Sequence, residues 1–173
     1  MRKLKLQMNI SLDSKWDDEM TRFSINNLKS VDNILLGRNT AEGFIPYWEG
    51  VAKNPKDSLY KLGTPLNDIP KIVFSEKLKT SKWDNASIAK GDITKEIKKL
   101  KKKKGKDILV YGGDSFVSSL VQHGLIDEFY LLVNPAAIGT GKSTFNPLKN
   151  NLKLTLKKTK PFPCGIVLLY YAK

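Results

Sequence analysis

A chain of 173 residues with 40% hydrophobic residues is long enough to bury one core without staples, and residues 1–173 read as a single domain. The formal net charge of +13 raises nucleic acid as a partner, but arginine occurs only at Arg2, Arg22 and Arg38. The densest lysine run, Lys98 to Lys104, closes a helix whose dipole it complements, with no aromatic residues interleaved to stack bases, so a solvated helix end is expected and no nucleic-acid surface.

The lone cysteine, Cys164, cannot form an internal disulfide, and no stretch approaches the ~20 apolar residues that span a bilayer. With the N-terminus passing straight into a strand pattern instead of a secretory leader, a cytoplasmic location without membrane association is expected. One histidine and one cysteine at distant positions cannot assemble a metal site.

Leu4, Leu6, Met8, Ile10 and Leu12 alternate, which predicts a first strand over 3–12. A helix follows around Asp18 to Leu28, then a second strand over Asp32 to Leu36 and a short helical stretch towards Phe44. Residues 45–69 are rich in Pro, Gly, Asn and Asp, which predicts loop with one modest helix near Pro55 to Leu62. Lys71 to Phe74 reads as a third strand, and Ala86 to Ile88 as a short one before the helix from Asp92 into the lysine run.

Ile108 to Tyr111 is a short apolar strand, leading through Gly112 and Gly113 into a helix over Ser115 to His123 that stops at Gly124. Phe129 to Val133 is another strand. The alternation at Leu152, Leu154 and Leu156 and the apolar run Ile166 to Tyr171, joined at Pro161-Phe162-Pro163, predict an antiparallel hairpin. The fold class is therefore α/β, in three layers, with a mostly parallel central sheet and an antiparallel C-terminal edge hairpin.

Two strand-to-helix turns stand out. At Tyr111-Gly112-Gly113-Asp114-Ser115-Phe116 a backbone without Cβ atoms meets a helix start, whose free N–H groups and partial positive charge suit phosphate. At Gly37-Arg38-Asn39-Thr40 the arrangement recurs, and Arg38 adds a forked cationic donor. A pair of phosphate-binding turns in one small domain suits a dinucleotide. Phe44, Tyr47 and Trp48 follow the first turn, either packing locally or walling a planar ring.

Ala136 to Ser143 satisfies a permissive phosphate-loop pattern, which raises an ATP-using enzyme. Pro147, four residues on, leaves no room for the long helix such a loop must open. His123, before Gly124, is placed to cap helix carbonyls.

Taken in order, these segments resemble the dihydrofolate-reductase superfamily, and within it the reductase domain of bifunctional riboflavin-biosynthesis enzymes. Ser11-Leu12-Asp13 is similar to the family's opening motif, Leu36 to Thr40 to its strand-Gly-Arg-x-Thr turn, Ile72 to Ser75 to its strand ending in Ser, and Tyr111 to Gly113 to its glycine pair. Asp127 to Leu131 resembles the strand after the glycine helix, and Ile138 to Phe145 the Gly-rich loop ending in Phe of the riboflavin branch.

The resemblance implies NADPH as hydride donor. Gly37, Gly112 and Gly113 would hold its pyrophosphate, with Asp114, Ser115 and Phe116 opening the helix there and Thr40 supporting the first turn. Arg38, Ser75 and Lys77 would hold the 2′-phosphate, and Tyr111 would lie near the nicotinamide. Glu76 departs from this pattern, an acid beside the phosphate. Asp13, Phe44, Tyr47 and Trp48 would contact a small pterin-like or pyrimidine-like substrate. Glu19, four residues before Phe23, is the candidate for supplying the proton or for gripping an amino-pyrimidine ring, although Asp17-Asp18-Glu19 is also an acidic helix start. The riboflavin branch also implies a homodimer. Ile69-Pro70 and Leu132 stand where folate-reducing members carry an Arg and a Thr, and with one His and one Cys these 173 residues carry no deaminase zinc set. A binding module of this fold without catalysis is the alternative.

Overall fold

The computed structural model describes residues 1–10, 16–139, 141, 143–145, 148 and 151–173. In chain order they form β1 (Leu4–Ile10), α1 (Asp18–Leu28), β2 (Val31–Gly37), α2 (Arg38–Lys53), α3 (Tyr60–Asp68) and β3 (Lys71–Phe74). There follow β4 (Ala86–Ala89), α4 (Ile93–Lys102), β5 (Asp107–Tyr111), α5 (Asp114–Gln122), β6 (Glu128–Val133), β7 (Thr155–Pro161) and β8 (Val167–Ala172).

The strands make one 8-stranded sheet in the order β4-β3-β2-β5-β1-β6-β8-β7. Every pairing from β4 to β6 is parallel, whereas β8 lies antiparallel to β6 and β7 antiparallel to β8. The α/β class and the antiparallel hairpin are as the sequence indicates. Alternation decides which helices cover which face. Leu35, Leu4 and Val110 pack with Ile97 of α4 and Val117 and Leu120 of α5. Ile34, Leu36 and Leu109 pack with Leu28 of α1, Ile45 of α2 and Leu62 of α3.

Because β1 lies mid-sheet between β5 and β6, its polar residues Lys5 and Gln7 are buried. Lys5 is 6% exposed and answers this with an ion pair to Asp107 at 2.8 Å. Lys101, inside the lysine run, is likewise buried, its Nζ 2.5 Å from Asp127 and donating to the carbonyl of Leu125. The run is thus a solvated helix end only in part.

Residues 45–69 differ from expectation, because α2 runs on through Pro46 to Lys53 and α3 contains Pro65. Pro46 lies on the exposed face, where the carbonyl of Glu42, deprived of its helical donor, meets water. Ala41, Ile45 and Val51 bury the opposite stripe and hold the helix. Gly63 serves close packing, since a Cβ there would come within 2.5 Å of Val51 Cγ1. Leu152 and Leu154 precede β7 and pack against the core instead of extending the strand.

Candidate functional site

The parallel pairing of β2 with β5 brings Gly37 and the Gly112–Gly113 pair to the same edge of the sheet, at the carboxyl ends of neighbouring strands. The two turns interlock. A Cβ on Gly37 would lie 2.9 Å from Phe116 Cβ, and one on Gly113 would lie 2.5 Å from Thr40 Oγ1. Gly113 also has φ +81°, a conformation that side chains disfavour.

Both turns open helices whose first N–H groups receive no capping side chain, α2 at Gly37 and α5 at Gly113. Two other helices are capped: Asp17 accepts from the N–H of Met20 at the start of α1, and Asp92 from that of Lys95 at the start of α4, while α3 begins after Leu59, away from the two glycine turns, without a side-chain cap. The sequence thus leaves uncapped the two helix starts that flank one cleft, and an anion there would complete them.

The outer limb of this cleft has a volume of about 730 Å³ and runs past Arg38, Ser75, Glu76 and Lys77. Ser75 Oγ accepts from the N–H groups of Lys77 and Leu78 at 3.1 and 3.0 Å, which fixes the turn after β3. Arg38 Nη1 lies 3.2 Å from Glu42, an exposed pair one helical turn along α2. Glu76 faces the cleft but accepts from the N–H of Gly91 at 3.3 Å. The floor is aromatic, with the Phe74 and Phe116 rings 5.0 Å apart.

The central limb, about 950 Å³, shares Thr40, Gly113 and Asp114 with the outer one. Its walls are Gln7, Met8, Asn9 and Ile10 from the end of β1, Phe44, Tyr111, and the segment between β6 and β7 through Ile138, Gly139, Ser143 and Thr144. An inner chamber of about 230 Å³ continues from Asn9, Phe44 and Tyr111 to Trp16 and Trp48. Phe44 stands between Tyr111 and Trp48, with ring centroids at 5.3 and 6.0 Å. Burial pushes the Tyr111 phenol well above its ordinary value, so it remains protonated.

The structure therefore gathers Gly37, Arg38, Thr40, Ser75, Lys77, Tyr111, Gly112, Gly113, Asp114, Ser115, Phe116, Phe44 and Trp48 along one cleft. Tyr47 is not brought in; it is 55% exposed and packs edge-on against Trp48. Nor is Glu19. It lines a separate groove with Phe23, Tyr130 and Tyr170 and pairs with Lys160 at 2.6 Å, because its helix position faces the C-terminal hairpin. Asp13 lies outside the described residues.

Sequence reasoning passed over Gln7, Asn9 and Trp16. The available signal was the amide pair on the strand predicted most apolar, since a polar residue at a covered strand position needs a partner or a purpose. Gln7 has partners: its Oε1 accepts from Asn27 Nδ2 at 2.8 Å and its Nε2 donates to Ser24 at 3.4 Å. Asn9 Oδ1 is shut off from solvent and accepts nothing, at a cost of about 1–3 kcal/mol. The described residues hold no cluster of three or more His, Cys, Asp or Glu suited to a metal ion.

Comparison with known proteins agrees with this architecture. The family model described as the RibD C-terminal domain matches residues 2–168. The uncharacterized protein YyaP of Bacillus subtilis (strain 168) is 35% identical over 146 residues, covering 83% of this chain and 75% of that one. A putative riboflavin biosynthesis protein from Shewanella sp. PV-4 superposes with a TM-score of 0.73 at 17% identity, over 99% of this chain and 98% of its own. The diaminohydroxyphosphoribosylaminopyrimidine deaminase/5-amino-6-(5-phosphoribosylamino)uracil reductase of Thermotoga maritima gives 0.67 at 17% identity, over 99% of this chain and 56% of its own. At such identities the structural likeness is one of fold.

Proposed function

Because the chain belongs to the RibD C-terminal domain family, we propose that it is an NADPH-dependent reductase, transferring a hydride to a small heterocyclic or carbonyl substrate of pterin-like or pyrimidine-like shape. The observation that carries this reading is the pair of uncapped helix starts on interlocked glycine turns that line one cleft.

The residues present fit the coenzyme. Backbone N–H groups at the starts of α2 and α5 bind its pyrophosphate, and Arg38 and Lys77, with the Ser75 hydroxyl, bind a 2′-phosphate in the outer limb. Glu76 is the unfavourable neighbour, partly occupied by the N–H of Gly91. When bound, the reduced nicotinamide supplies the hydride. Tyr111 and Gly112 orient its ring in the central limb, and the aromatic inner chamber holds the acceptor away from bulk water. Orientation and exclusion of water do most of the catalytic work on this reading. Glu19 takes no part, since its carboxylate is bound to Lys160 in another groove.

The name of the Thermotoga protein makes a pyrimidine the first substrate class to test. A cytoplasmic homodimer assembled through the late strands completes the proposal, with Leu156 of β7, 51% exposed, at the contact. No helix among the described residues is long and apolar enough to cross a membrane. Thermal shift with NADPH, NADH, ATP and an oligonucleotide tests the coenzyme assignment. NADPH should stabilise most; stabilisation by ATP or the oligonucleotide alone would reject it.

A further inference from the structure

We propose that Asn9 is the residue that selects and orients the ring bound in the inner chamber, pairing its carboxamide with an adjacent N–H and C=O on the ring edge. The assignment rests on the reductase reading only in calling that ring the substrate. Asn9 sits near the end of β1, where the central limb narrows into the chamber, and it lines both. Its neighbour on the same strand, Gln7, has its amide committed to Ser24 and Asn27 and is part of the scaffold. The Oδ1 of Asn9 has no partner, although it is buried.

The surroundings narrow what could pair with it. Trp16, Phe44, Trp48 and Tyr111 wall the chamber, which suits a flat ring. Among the described residues that line the chamber none is ionised, and in the central limb only Asp114 is, beside the glycine pair. A ring carrying a formal charge would enter without a counter-ion, so the ring is neutral. A carboxamide presents one donor and one acceptor side by side, as asparagine does when it reads the edge of adenine. The complementary edge is a lactam, N–H next to C=O, or its amino-imine equivalent.

Uracil and 1,3-dimethyluracil probe this directly, with Trp16 and Trp48 as fluorescent reporters in the wall and NADP⁺ present at saturation. Uracil should quench the wild type. Asn9→Leu removes both hydrogen-bonding groups and Asn9→Asp removes the donor, and each should weaken uracil by at least about tenfold. Dimethyluracil, without the N–H, should bind weakly and equally to wild type and Asn9→Leu. Equal uracil affinity in wild type and both variants, or no uracil binding to the wild type, overturns the assignment. Should Asn9→Leu fail to fold, Asn9→Asp decides alone. NADPH thermal shift on the same proteins separates the two claims. Lost coenzyme binding with Asn9-dependent uracil binding refutes the reductase reading alone, and the converse refutes this one alone.

Discussion

Gly113→Ala tests how the two turns are held together. The new Cβ would sit 2.5 Å from Thr40 Oγ1 and 3.7 Å from Thr40 Cβ, on a backbone at φ +81°. The backbone conformation costs an alanine about 1–3 kcal/mol, and overpacking against the hydroxyl adds about 1–3 kcal/mol. Thr40→Ala removes Oγ1 and leaves the remaining contact at ordinary van der Waals distance, so the second cost disappears and the first stays. Urea unfolding of the wild type, both single variants and the double variant forms a closed cycle. Gly113→Ala should lose about 2–6 kcal/mol alone and about 1–3 kcal/mol in the Thr40→Ala background, a coupling of about 1–3 kcal/mol. Effects that add to within about 0.5 kcal/mol would show that the turns do not interlock through this contact.

Arg38→Ala and Lys77→Ala should each reduce NADPH affinity more than NADH affinity, by about tenfold for the loss of one charge-assisted phosphate contact, measured by calorimetry at fixed salt. Glu76→Gln should move the preference the other way. Glu19→Gln should leave NADPH-linked turnover of any accepted substrate near wild type and cost under about 1 kcal/mol, because its pair with Lys160 is about one-third exposed on each side; a large fall in kcat would restore it as proton source. Burial pushes the Lys71 ammonium down to about 8 from 10.5, with Asp68 opposing. Between these values the unfolded chain retains a proton that the folded chain has lost, so stability rises with pH from about 8 to 10.5. Lys71→Met should flatten that slope in chemical-denaturation curves and stabilise the protein below pH 8 by at most about 3 kcal/mol.

The parts of the fold that could be seen in the sequence are those with local causes. Short apolar strands ending in glycine mark the turns at Gly37 and Gly113, and Ile166 to Tyr171 marks the strand that closes the hairpin. The α2–α3 pair was hidden because proline and glycine ordinarily break helices. Here Pro46 faces water and Gly63 admits Val51, circumstances that only tertiary packing supplies. The spacing of Glu19 to Phe23 fits a helix but does not say which groove the helix face meets, and α1 presents Glu19 to Lys160 of β7. Asn9 was overlooked because an amide within an alternating strand reads as the solvent side. The seclusion of its Oδ1 depends on β1 lying mid-sheet, between β5 and β6, a placement the strand pattern alone does not give.

A crystal structure of the protein with NADP⁺ tests the central claim most directly. The pyrophosphate should lie between the starts of α2 and α5, within hydrogen-bonding distance of backbone N–H groups after Gly37 and Gly113, with the nicotinamide pointing towards Tyr111. A pyrophosphate found anywhere else, or a cleft that remains empty at millimolar coenzyme, would contradict it.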